Sequence, residues 1–261
     1  MYKLESGENF AFSRYSDGEL DIMQNYYVRL SEDTVQRGEE KLAVHPYPAE
    51  DHKEFDPDKH QKSRELLMES YRHRQKNYYK GISCPCCVPQ HRVEEMIEMH
   101  GEGDEDHLIW ANQLVNANYP RFVREMLPRF YKKKIILVGN EGIQWPPKDP
   151  QLSKVFPLDV KHIFRVGYNC FANNLDMIEE ISNYIEANNI EDHLFLFSAA
   201  SLSEILIYKL FSKYPDNTYI DIGTTMHPIL GLTVARDYLK AYWTGQSHPD
   251  MNKVCRFVEN R

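Results

Sequence analysis

The order of apolar runs predicts an α/β protein with a doubly wound, mostly parallel sheet, flanking helices and an N-terminal helical or loop insertion. Three observations carry this. Residues 134–139, 160–166, 193–197 and 218–222 are short apolar runs bounded by turn residues, and continuous apolar character marks strands buried on both faces. Amphipathic helices over 175–188 and 201–213 lie among them, and strands alternating with helices form parallel sheets. The stretch 31–62, by contrast, is charged and proline-bearing and reads as loop or short irregular helix. One domain over 1–261 is expected, with 31–131 as the insertion and 132–231 as the regular half.

Taken in order, the elements begin with an apolar strand ahead of Arg14. From residue 63 an Arg-Glu-Leu-Leu-Met-Glu-Ser-Tyr pattern predicts a helix to about residue 79, with Ser63 as its N-cap. Residues 81–84 read as a short strand, and 91–99, 107–118 and 121–131 as helices, the first two separated by the acidic loop 101–106. Ligands bind outside the carboxyl ends of strands in such sheets. Here those ends are Gly139-Asn140-Glu141-Gly142, Gly167-Tyr168-Asn169, Ser198-Ala199-Ala200-Ser201 and Asp221-Ile222-Gly223, which should converge on one cleft.

Composition excludes several classes. With 261 residues, 42% of them hydrophobic, the chain can bury a sizeable core. No run approaches the roughly 18–20 apolar residues that span a bilayer, and the polar start Met-Tyr-Lys-Leu-Glu-Ser-Gly-Glu is unlike a signal h-region, so a soluble, cytoplasmic protein is expected. The balance of 39 acidic against 31 basic residues, a formal charge of −8, disfavours nonspecific nucleic-acid binding. Five cysteines, Cys84, Cys86, Cys87, Cys170 and Cys255, form no disulfide framework and read as reduced thiols. The Cys84-Pro85-Cys86-Cys87 cluster could hold zinc or act in redox chemistry, but it lacks a second ligand pair for structural zinc and reads first as buried thiols at a strand end. The aromatic stretch 238–243 reads as a helix packed on the chain's own core.

Asp17-Gly18-Glu19, directly after the first apolar run, is the densest chemical signal. Alternate side chains on an extended backbone share a face, so two carboxylates one residue apart on a turn suit a divalent cation. On a helix they would diverge by roughly 200°. Arg14, three residues earlier, is suited to bidentate phosphate binding, and acid pairs suit Mg²⁺ or Mn²⁺. The acidic residues Asp104 to Asp106 could add ligands, although such runs usually face solvent. Ser201-Leu202-Ser203-Glu204 matches a capping box at a helix start whose N–H groups could approach a diphosphate. The Gly139–Gly142 turn fits neither a dinucleotide fingerprint nor a P-loop. Trp145-Pro146-Pro147 could wall a sugar or base, or pack on itself.

The segment Arg14-Tyr15-Ser16-Asp17-Gly18-Glu19 resembles the Arg-x-Gly-Asp-Gly-Glu signature near the N-terminus of the GT-D-type glycosyltransferases, a bacterial family first catalogued as a domain of unknown function. Lys133 to Gly139 with Glu141-Gly142, Arg165-Val-Gly-Tyr-Asn169-Cys-Phe-Ala-Asn173, Phe197-Ser-Ala-Ala-Ser201 and Ile220-Asp221-Ile222-Gly223 resemble its later strand ends in the same order. The resemblance implies a Rossmann-like domain that transfers a hexosyl or pentosyl group from a nucleotide-sugar, a UDP-sugar, to a glycan or glycoprotein. It implies Asp17 and Glu19 as ligands of Mn²⁺ or Mg²⁺ and Arg14 on the phosphates. Donor contacts fall to Ser16, Gly139, Asn169, Asn173, Ser198, Ser201, Asp221 and Gly223, and Glu141, Asp221 and His227 are candidate bases. Two departures stand out: Ser16 replaces a glycine, and Thr224-Thr225-Met226-His227-Pro228 replaces an acidic, histidine-bearing tail. Alternatives are an S-adenosylmethionine-dependent methyltransferase, from the glycine turn after residue 138, and a non-catalytic nucleotide or carbohydrate-binding module.

Overall fold

The computed structural model describes residues 2–31, 34–43, 53–103 and 105–253, so Asp104 and Cys255 lie outside the described residues. Strands run β1 Ala11–Tyr15, β2 Val28–Leu30, β3 Thr34–Arg37, β4 Glu40–Ala43, β5 Lys53–Phe55, β6 Tyr78–Ile82, β7 Leu108–Trp110, β8 Lys134–Asn140, β9 Asp159–Val166, β10 Leu194–Ser198 and β11 Thr218–Asp221. Helices are α1 Tyr2–Ser6, α2 Asp17–Met23, α3 Gln61–Arg72, α4 Gln90–His100, α5 Tyr119–Arg121, α6 Leu127–Phe130, α7 Pro150–Val155, α8 Cys170–Asn173, α9 Met177–Asn188, α10 Leu202–Lys213 and α11 Asp237–Trp243.

Seven strands form one parallel sheet in the order β7-β6-β1-β11-β10-β8-β9. Because successive side chains in a strand point to opposite faces, each strand feeds two cores. Ile135, Leu137, Leu194, Leu196 and Ile220 meet Tyr119, Phe122, Phe130 and Leu239 on one side. Ile136, Val138, Phe195, Phe197 and Tyr219 meet Ile181, Ile185, Leu206 and Leu210 of α9 and α10 on the other. A third cluster packs α2, α3 and α4 beside the carboxyl ends of β1 and β6, through Tyr15, Leu20, Leu67, Tyr71 and Met96. The expected doubly wound α/β architecture is present, and β8 to β11, α9 and α10 begin and end within two residues of the sequence reading. The stretch 238–243 packs on the chain's own core through buried Tyr238 and Leu239, and Trp243 Nε1 donates to Tyr119 Oη at 2.8 Å. No helix among the described residues is long and apolar enough to cross a membrane.

The first half departs from the sequence reading in four places. The stretch 31–62 contains strands of a second, antiparallel sheet in the order β4-β3-β2-β5, whose charges sit on solvated positions such as exposed Arg29, Glu40 and Lys41. The helix from residue 61 is capped at His60, not Ser63, which is buried inside it. It stops at Arg72, because Tyr78 and Tyr79 pair with β1 in β6. The segment read as a helix over 107–118 instead holds the edge strand β7, followed by 3₁₀ turns. There Leu108 and Ile109 pack on opposite sides of the sheet, and pairing with β6 outweighs the local helical spacing. Residues 31–131 thus contribute β6 and β7 to the central sheet.

The approach of the segment after β7 to β6 is close. A Cβ on Gly81 would lie 2.8 Å from Ala111 Cα and 3.0 Å from the Phe12 ring. Gly81→Ala is therefore expected to lower unfolding free energy by about 1–3 kcal/mol, the usual penalty for overpacking, as read by urea denaturation; an unchanged midpoint would contradict this packing.

Candidate functional site

The chain leaves β1 for β6 and β7 on one side of the sheet, while β8 to β11 occupy the other. The topological switch point therefore lies between β1 and β11, where the open crevice of such sheets forms. A cleft of about 850 Å³ sits there, lined from β1 by Arg14, from the start of α2 by Ser16, Asp17 and Glu19, and from β10 and β11 by Ser198, Asp221 and Gly223. The four strand ends named from sequence do converge, through Asn140, Asn169, Ser198 and Asp221.

Asp17-Gly18-Glu19 is the first turn of α2 and not a free turn. Ser16 is the N-cap, and Glu19 Oε2 accepts from the Ser16 backbone N at 2.9 Å and from Ser16 Oγ at 2.5 Å. The capping box expected at Ser201–Glu204 is absent: Ser201 Oγ donates instead to Glu19 Oε1 at 2.6 Å, and Ser203 Oγ caps Ala199 N at 3.0 Å. Helical phase turns the two acids apart. Asp17 pairs with Arg37 of β3, while Glu19 is buried with Lys53 Nζ at 3.6 Å. A metal held jointly by Asp17 and Glu19 does not fit this arrangement, because both are committed to cations or hydroxyls. Among the described residues no group of three or more His, Cys, Asp or Glu is placed to hold one.

Arg14 and Asp221 sit on the neighbouring strands β1 and β11. Arg14 Nε donates to Asp221 Oδ2 at 3.0 Å, and the Gly223 N–H donates to Asp221 Oδ1 at 2.8 Å. Gly223 has φ +48°, and a Cβ there would fall 2.0 Å from Arg14 Nη2, so glycine serves both the backbone and the guanidinium. Nη1 and Nη2 of Arg14 make no hydrogen bond among the described residues, and Arg14 lines the cleft. Lys53, which the sequence reading missed inside a supposed loop, adds a second cation. Asn169 places it: its Oδ1 accepts from Glu54 N at 3.1 Å and its Nδ2 donates to Glu54 O at 2.9 Å, pinning β5 beside the cleft.

Glu204, also missed as a site residue, completes a buried carboxylate cluster. It lines the cleft, and its Oε2 has no hydrogen-bond partner among the described residues. Burial, joined by the negative charges of Glu19 and Asp221, raises its pKa well above the usual carboxylate range and so favours its protonated form. Burial pushes Glu19 upward too, but the Lys53 charge and the hydrogen bonds from Ser16 and Ser201 prevail and bring it down to about 2. Burial raises Asp221 as well, with Arg14 and the Gly223 N–H pulling against it.

Of the candidate bases, Glu141 is exposed on the turn after β8 and lies outside the cleft, and both Asp221 oxygens are engaged. His227 is buried at the cleft wall, its Nε2 3.2 Å from Ser198 Oγ and its Nδ1 3.2 Å from the Thr233 carbonyl. A carbonyl only accepts, so Nδ1 carries the proton and Nε2 is left as acceptor. Asn173 binds the Tyr168 carbonyl outside the cleft, Ser201 is buried beneath it, and Gly139 lies under Ser198, whose carbonyl a Cβ would crowd at 3.1 Å. The glycine turn closes on itself through Gly142 N to Asn140 Oδ1 at 2.7 Å. Trp145 packs on the core and does not wall the cleft.

No protein-family model and no curated protein matches the chain. Two solved structures do. One is a selenomethionine-substituted structure of domain of unknown function 1792, with TM-score 0.53, 12% identity, and 95% of this chain and 80% of that chain covered. The other, with TM-score 0.55 and the same identity and coverage, is described as showing that this highly conserved domain has a distinct glycosyltransferase fold. This chain shares that fold. The resemblance read from Arg14 to Glu19 is thereby met at the level of architecture.

The buried acids set opposite pH dependences. Glu19, lowered from 4.5 to about 2, contributes stability that is full above the ordinary carboxylate pKa and is lost as pH falls towards 2, on the order of 3 kcal/mol. Glu204, raised, contributes stability present below that range and lost as pH rises through its folded value. Glu19→Gln should flatten the acid limb of unfolding free energy between pH 4.5 and 2, and Glu204→Gln the decline on the neutral side. Denaturant titrations across pH read both, and unchanged limbs would contradict the assignments.

Proposed function

We propose that the chain is a glycosyltransferase that takes a nucleotide-sugar, a UDP-sugar, and passes the sugar to a hydroxyl of a glycan or glycoprotein acceptor. The observation that carries this is Arg14: a guanidinium that lines the cleft at the sheet's switch point, fixed at Nε by Asp221, with Nη1 and Nη2 making no hydrogen bond among the described residues. Such a fork matches the paired oxygens of a phosphate. Lys53 adds charge from the β5 side, and the Ala200 N–H, at a residue with φ +44° before α10, makes no hydrogen bond among the described residues. A helix N-terminus of this kind favours an anion.

These groups would hold the diphosphate and stabilise the charge that grows on its leaving oxygen as the glycosidic bond breaks. Ser198 and His227 take the acceptor side. The acceptor hydroxyl hydrogen-bonds to Ser198 Oγ, and the proton passes through that hydroxyl to His227 Nε2, while the Thr233 carbonyl holds the ring in the accepting tautomer. Support for the transfer reading is the fold shared with a domain described as having a distinct glycosyltransferase fold.

Two measurements test the proposal. UDP at about 100 times its Kd should raise Tm by roughly 5–10 °C with chelator present; Arg14→Ala should remove the shift. A shift with S-adenosylmethionine and none with UDP would overturn the donor class, and a UDP shift that requires Mn²⁺ would restore the metal role of the acid pair. In a screen of UDP release from UDP-sugars with acceptors, His227→Gln should lower kcat by about 10²–10⁴ while leaving the UDP shift intact. Binding without any release across donors and acceptors would make the chain a binding module.

A further inference from the structure

Cys84 and Cys87 stand at the carboxyl end of β6, on the wall of the cleft. The sequence reads this cluster first as buried thiols, yet Cys84 is buried and Cys87 is exposed. Their sulfurs lie 3.5 Å apart. The segment between them is a single tight turn: Cys87 N donates to Cys84 O at 2.9 Å and Val88 N to the same oxygen at 3.2 Å. The ends of such a turn lie within about 7 Å at Cα, and disulfides span roughly 4.4–6.8 Å. The backbone is therefore already placed, and side-chain rotation can bring the sulfurs to bonding distance. Cys170 is a contrast: its Sγ donates to Ala199 O at 3.1 Å, and burial pushes its thiol up to about 12.

We infer that Cys84 and Cys87 are a dithiol site that reacts with low-molecular-weight disulfides at the rim of the cleft and closes into an intramolecular disulfide. Exposed Cys87 is the attacking group. Its thiolate bonds to one sulfur of the small disulfide, whose S–S bond breaks, and the departing thiolate takes up the proton that Cys87 gave up. Buried Cys84 resolves the adduct: its thiolate attacks the Cys87 sulfur and displaces the second small thiolate, which takes the Cys84 proton. Two cysteine thiols are oxidised by two electrons in all, and one small disulfide is reduced to two thiols. The split of exposure between the two sulfurs suits these roles, since the attacking thiol must meet a soluble partner and the resolving thiol need only meet its neighbour.

The test uses the full chain and glutathione disulfide, read by intact mass and by the peptide spanning 81–92 after tryptic cleavage. The wild type is expected to lose the mass of two hydrogens in that peptide, reversibly on reduction. Cys84→Ser should stop at a glutathione adduct on Cys87, Cys87→Ser should slow oxidation at least tenfold, and Cys86→Ser should behave as the wild type. Circular dichroism verifies that each variant is folded. A second measurement needs no substitution: phenylarsine oxide, which bridges paired thiols, should bind this peptide once per chain. An adduct that never resolves in the wild type, disulfide formation that survives Cys84→Ser, or no arsenical binding would overturn the inference. Because the readout is a mass, its failure leaves the donor reading standing.

Discussion

The ionised carboxylate of Glu19, buried where three elements meet, is the constraint on which the arrangement of the site rests. A buried charge is tolerated only with close partners, and these come from the end of β1 through Ser16, the start of α10 through Ser201, and β5 through Lys53. Withdrawing any one would leave the charge under-compensated, so the three elements are locked in mutual position. Its negative charge also adds to the burial that raises the Glu204 pKa. One ionised acid thus bears on both its neighbour and the mouth of the cleft.

A second set of links runs outside the cleft. Arg37 of β3 bridges Asp17 and Asp21 of α2, and Arg92 of α4 reaches Asp21 from the other side. Together with Asn169 gripping the Glu54 backbone, these pairs fasten the antiparallel sheet to the parallel one. The cleft therefore has one wall built from strand ends of the main sheet and one borrowed from a small sheet, which these polar links and the burial of Val28 and Phe55 hold in place. Arg37 and Glu54, which make these links, lie in the stretch read from sequence as loop.

Legibility followed burial. Runs such as Ile135-Ile136-Leu137-Val138 are buried throughout, have one structural use, and could be placed within a residue or two. Asp221 and Ser198 were legible because strand ends in parallel sheets point to one crevice, and Arg14 because a guanidinium three residues before an acid pair suits a phosphate. The reading of Asp17-Gly18-Glu19 fared less well, because Ser16-x-x-Glu19 is also a capping box and the helical use prevailed. The signal was present in four residues, and the same pattern at Ser201 drew attention instead. Lys53 and Glu204 were hidden for another reason: each acts on Glu19, Lys53 as its ion-pair partner and Glu204 as a neighbouring buried acid, from 34 and 185 positions away in the chain. The strand at Leu108 is set by pairing with β6 and not by its own residues.

The position of β11 carries a consequence for how the molecule is assembled. It is the final strand of the sheet in chain order, yet it is seated between β1 and β10, near the middle. Until it is threaded into place, those two strands present open edges, the kind of template that invites pairing with other chains. The contacts that close this gap join residues more than 200 positions apart, such as Phe12 with Ile220, and distant pairings of this sort slow folding. The crevice between β1 and β11 therefore exists only once these distant pairings have formed.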